Sequence, residues 1–178
     1  MRKIQFTLFC AAILGNLATF STATNVFANS NQDNFGLELH YRDSAFQCGS
    51  DSTQADIKVN VYDKNNNLLK TLSKGDTHRI NNLDSASDLK FTYNIHNLTC
   101  IGEGSLRSER DSLLLGSNDA TPDIDGFSGQ ASIAEMLVGL DTYEELYLVE
   151  LGTSNTYSSA YDLQDVVIVV DNDPLSPD

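Results

Sequence analysis

Tryptophan is absent from this chain, cysteine and proline occur three times each, and Lys and Arg together number 11 against 25 Asp and Glu. The shortage of bases argues against nucleic acid and anionic membrane as partners, because both are held by clustered Lys and Arg. Without Trp there is no obvious aromatic platform for a sugar cleft. His40, His78 and His96 are the only histidines, and none has a partner at a spacing that suggests a catalytic or metal pair. Gly126-Phe-Ser128-Gly129 is one residue short of the G-x-S-x-G nucleophile elbow. No C-x-x-C occurs, so zinc and dithiol redox chemistry lack their usual spacing. Past the N-terminal stretch, no apolar run is long enough to span a bilayer as a helix.

What is present at the start is an export pattern. Arg2 and Lys3 form a positive n-region, Ile4 to Leu17 is mostly apolar, and Val26-Phe27-Ala28 offers a cleavage site after Ala28. Asn16, Thr19, Ser21, Thr22 and Thr24 interrupt the apolar run, which argues for a signal peptide over residues 1–28 rather than a membrane anchor. The mature protein is therefore expected to be secreted or periplasmic. Cleavage removes Arg2 and Lys3 and no acid, so the net charge moves from −14 to −16 and 150 residues remain. That length suits one domain with a sizeable core. Two cysteines survive, Cys48 and Cys100, and an exported chain most simply joins such a pair as a disulfide.

Hydrophobic periodicity describes the rest. After a polar leader, 29–34, apolar residues alternate in Phe35 to Tyr41, Ile57 to Tyr62 and Leu89 to Ile95, the period of half-buried strands. Lys64-Asn65-Asn66-Asn67 is a turn, and Leu68 to Leu72 is the returning strand of a hairpin. Thr77 to Leu83, Ser112 to Leu115 and Glu145 to Leu151 read as further strands. Val166 to Val170 is an uninterrupted β-branched run, expected to be buried on both faces. Only near 132–140 does the period change: Ile133, Met136, Leu137 and Leu140 predict one short helix, with Ser132 and Glu135 as a capping box. The expected fold is an all-β antiparallel sandwich of about seven to nine strands over residues 35–172, immunoglobulin-like or related. A disordered tail is expected over 173–178.

Two acidic stretches are candidates for calcium, which takes six to eight oxygen ligands. In the first, Asp119, Asp123 and Asp125 precede Gly126, but the bidentate Glu of an EF-hand is missing because Ser132 stands in its place. In the second, Glu150-Leu-Gly152 is followed by Tyr161-Asp162-Leu163-Gln164-Asp165-Val166-Val167. This resembles the E-D-G … D-[FYW]-N-D-[VL]-V signature near the end of β-domains in large bacterial exoproteins. The resemblance implies a calcium link through Glu150, Asp162 and Asp165, while Leu151, Leu163 and Gln164 depart from the pattern. The stretch from Ile57 to Ile95 is similar to bacterial immunoglobulin-like or prealbumin-like modules, which implies the same sandwich. Asn97-Leu98-Thr99 is a glycosylation sequon, relevant only in a eukaryotic secretory route.

The reading is an exported, non-catalytic binding, structural or cell-surface module with calcium as its candidate cofactor. Its partner is an unidentified protein or surface ligand. A secreted hydrolase using paired carboxylates is the alternative. The mature, oxidised protein is expected to show no free thiol by a thiol-reactive dye. Reduction should lower its unfolding free energy by about 2 to 4 kcal/mol. Two free thiols in protein recovered from an oxidising compartment would rule the bridge out.

Overall fold

The computed structural model describes residues 35–47, 54–83, 88–98, 104–123, 129–158 and 160–172. The expected signal peptide, leader and tail lie outside them, as do Cys48, Cys100 and Asp125. Nine strands and one helix follow the order β1 (Phe35–Asp43), β2 (Asp56–Tyr62), β3 (Leu68–Leu72), β4 (Thr77–Leu83), β5 (Lys90–His96), β6 (Ser105–Arg107), β7 (Asp111–Gly116), α1 (Gln130–Val138), β8 (Glu144–Glu150) and β9 (Val166–Asp171). They form a five-stranded sheet, β4-β1-β9-β8-β7, and a four-stranded sheet, β3-β2-β5-β6, with every pairing antiparallel.

The alternation in β2 places Ile57, Val59 and Val61 inward, and the register sets them beside Ile95, Tyr93 and Phe91 of β5. From the other sheet, Leu37, Leu39, Tyr41, Tyr147, Val149 and Ile168 close the same core. The hairpin turn between β2 and β3 is built as its composition demands. Asp63 Oδ1 accepts the N–H groups of Asn65 and Asn67, each at 2.8 Å, and Asn66 takes a left-handed φ of 64°.

The five-stranded sheet is covered on its other face as well. Leu146, Leu148, Val167 and Val169 point away from the sandwich core and meet Ile133 and Leu137 of α1 together with Tyr161 and Leu163 of the β8–β9 loop. Two-sided burial explains why β8 and β9 read as continuous apolar runs while β2 and β5 alternate. This second layer packs on β7, β8 and β9, and the last two carry the candidate site at one end.

Two local expectations are corrected. The helix starts at Gln130, after Gly129, with no side-chain cap, so Ser132 lies inside the first turn and is not the cap. Its hydroxyl instead donates to the Gly129 carbonyl at 3.1 Å and accepts the Gln164 side-chain amide at 2.7 Å, a tertiary contact that overrides the local motif. Strand β6, only three residues with an exposed Leu106, is an addition to the expected set and has no alternation to announce it.

One carboxylate pins the two sheets together. Glu109, in the β6–β7 connection, accepts hydrogen bonds from Tyr93 of the four-stranded sheet and Tyr147 of the five-stranded sheet. Both phenols are buried, and burial holds them above their ordinary pKa, so they remain donors. Glu109→Ala should lower the unfolding free energy in urea by about 1 to 3 kcal/mol, because two buried hydroxyls lose their acceptor. Tyr147→Phe in the same background should then cause a smaller further loss than it causes alone.

Candidate metal centre

Strand β8 ends on a buried acid. Glu150 is 0 % exposed, and the chain turns away immediately through Leu151 and Gly152. Its Oε1 accepts the N–H groups of Gly152 at 2.9 Å and Thr153 at 3.0 Å, and its Oε2 those of Asp162 at 3.2 Å and Leu163 at 3.4 Å. Gly152 is required there by space. A Cβ on it would stand 2.9 Å from Glu150 Oε1 and 3.6 Å from Asp165 Oδ2.

The loop entering β9 supplies the other two acids. Tyr161 and Leu163 turn into the outer core, and the Tyr161 hydroxyl donates to Asp111 Oδ2 at 2.7 Å. Asp162 Oδ1 accepts the Gln164 N–H at 2.9 Å, closing an Asx turn around Leu163. Leu163 sits at φ 57°, a left-handed conformation that costs a non-glycine residue about 1 to 2 kcal/mol. Burial of its side chain at 1 % exposure offsets that strain. Asp165 follows, 6 % exposed, its Oδ2 accepting Leu151 N–H at 2.6 Å and Gly152 N–H at 2.9 Å.

Carboxylate oxygens of Glu150, Asp162 and Asp165 come within 4.8 Å of one another, the one such grouping of metal-ligating side chains among the described residues. Like charges so close and so dry do not all ionise at neutral pH. Burial, then the Glu150 charge, push the Asp165 carboxyl from 3.8 up to about 8, against the pull of the Leu151 and Gly152 amides. Asp162 is also raised, chiefly by burial. The arrangement holds a proton well. It also places hard oxygen donors of three side chains around one point, the donor chemistry of calcium.

Of the six expected ligands, these three converge and two others go elsewhere. Asp119 Oδ2 accepts the Gly116 N–H at 2.8 Å, shaping the turn after β7, and Asp119 lines an open cavity of ≈ 350 Å³ with Glu145 and Asn172. That cavity is at the opposite end of β8, about 17 Å away at about 3.4 Å per strand residue. Asp123 is exposed in the following loop and does not join the cluster.

No protein-family model, curated protein or solved structure matches this chain. The site therefore stands on its own residues.

Sequence reasoning missed the parts that are not acidic. The amides of Leu151, Gly152 and Thr153 have no side-chain signature, although Gly152 two residues after the acid was visible. Charge distribution was a further unused signal. Residues 111–178 hold 14 of the 25 acids and none of the 11 Lys and Arg, so the negative field is concentrated on the part of the chain that carries the cluster.

The raised Asp165 pKa fixes a pH dependence. The folded state binds this proton more tightly than the unfolded chain, so the stabilisation is full below about pH 4 and is lost as pH rises through about 8. In chelator, the melting temperature should fall between pH 5 and pH 8.5, and Asp165→Asn, which cannot ionise, should flatten that slope. Equal slopes for the two proteins would show that Asp165 does not carry the linkage.

Proposed function

We propose that this protein is an exported, non-catalytic β-sandwich module, a binding or structural unit of a cell surface or periplasm, whose β8–β9 loop is fastened by calcium. The observation that carries the reading is the convergence of Glu150, Asp162 and Asp165, separated in sequence but with carboxylate oxygens within 4.8 Å. A divalent cation takes the place of the proton held on Asp165 and relieves the repulsion that burial creates. The base-free stretch over 111–178 raises the local cation concentration. An extracytoplasmic setting suits a weak site, since extracellular calcium modules bind at about 10⁻⁴ to 10⁻³ M. The signal-peptide pattern supports that setting.

The hydrolase alternative has less support. Paired catalytic carboxylates stand about 5 to 5.5 Å apart in retaining enzymes and about 6.5 to 9.5 Å apart in inverting ones, with the substrate between them. Here the oxygens are closer than that, two of the three acids are buried, and backbone amides occupy the space in front of Glu150 and Asp165.

Thermal unfolding of the mature, oxidised protein tests the reading. Calcium at about a hundredfold excess over Kd should add about 2.7 kcal/mol, or roughly 5 to 10 °C for a domain of this size. Magnesium should do less, because it dehydrates reluctantly and demands a tighter octahedron. Asp162→Asn with Asp165→Asn should abolish the shift. An unchanged melting temperature through millimolar calcium at pH 8 would eliminate the calcium site and leave the cluster as a clasp of acids held by backbone amides.

A further inference from the structure

Helix α1 is poorly supported by its own sequence. It has nine residues, no side-chain cap, no acid in its first turn and no base in its last. Helices shorter than about 12 to 15 residues are marginal in water on their own, so this one persists through what it touches. Ile133 and Leu137 are its two buried side chains, and they rest on the outer face of the five-stranded sheet. Gln130 at its start donates to the Pro122 carbonyl of the preceding connection at 3.0 Å, and its polar tie to the β8–β9 loop is Gln164. The Gln164 side-chain amide donates to Ser132 Oγ at 2.7 Å and to the Gly129 carbonyl at 3.4 Å. Gln164 is itself held on both sides of its backbone. Its N–H donates to Asp162 Oδ1 at 2.9 Å, and its carbonyl accepts the Ala45 N–H at 3.0 Å.

The two cores lie on opposite faces of β8 and β9. The sandwich core includes Tyr147, Val149, Val166, Ile168 and Val170, and not one of its members comes from α1. The helix can leave without opening the space between the sheets. We infer that α1 is a strap that lifts from the five-stranded sheet as a unit while the sandwich stays folded, and that Gln164 is its latch. Local opening of this kind is expected where few buried apolar contacts hold an element. Of the residues in the β8–β9 loop, Gln164 alone bonds to the helix through its side chain among the described residues.

Native-state hydrogen exchange on the full mature protein, read at low denaturant, tests this. The α1 amides should exchange at least about tenfold faster than those of β8 and β9, with a weaker denaturant dependence, the mark of sub-global opening. Gln164→Ala should speed α1 exchange about fivefold or more, the loss of its short bond to Ser132 Oγ and its longer one to the Gly129 carbonyl, and leave β2 and β5 unchanged. If α1 exchanges with the same protection and denaturant dependence as β8 and β9, the strap is refuted. If α1 opens early but Gln164→Ala leaves its rate unchanged, or accelerates every strand alike, the latch is refuted. Should Gln164→Ala fail to fold, the wild-type comparison still decides whether the helix opens alone.

Discussion

The molecule is organised around two acids that would repel one another if both were charged. Glu150 closes β8 and Asp165 precedes β9, adjacent central strands of the five-stranded sheet. Both are buried. A buried carboxylate is stabilised only by partners that compensate its lost hydration. Here the compensation comes from the backbone amides of the β8–β9 connection: Leu151, Gly152, Thr153, Asp162 and Leu163 all donate to one acid or the other. The loop has its shape because these amides must reach those oxygens. The close approach at Gly152 and the left-handed backbone at Leu163 follow from the same requirement.

That loop also joins the two cores. Its residues divide their duties: Tyr161 and Leu163 fill the outer core, while Asp162 and Asp165 face Glu150. The outer core would otherwise be an uncovered apolar sheet face. A nine-residue helix with two buried side chains is not enough to cover it, and the loop supplies the remainder. The polar cluster and the packing of the second layer are therefore one construction.

Much of this was legible in the sequence, for reasons that can be named. Period-two alternation exposed β2 and β5 because each has one dry and one wet face. The β-branched run of β9 announced burial on both sides. Strand β6 was not legible, since three residues cannot display a period. The helix start was misplaced because Ser132 looks like a cap in one dimension, whereas its hydroxyl is used by Gln164, thirty-two residues on. At the site, Glu150, Asp162 and Asp165 stood out through a short motif. Asp119 and Asp123 stood out through closely spaced Asp before a glycine, and Asp in a turn has a simpler cause: Asp119 accepts its own turn's amide. The donors that complete the site are main-chain groups, which no residue type marks.

Strand β9 is the last strand among the described residues, yet it lies at the centre of its sheet, between β1 and β8. Strands β1 and β8, more than a hundred residues apart in sequence, never touch as neighbours; each pairs with β9. No shorter prefix of the chain can close the sheet, because the strand that joins its halves has not yet arrived. Such long-range pairing is slow, since loop entropy is lost before the contacts form. A chain made N-terminus first therefore cannot complete this sheet until β9 has been added.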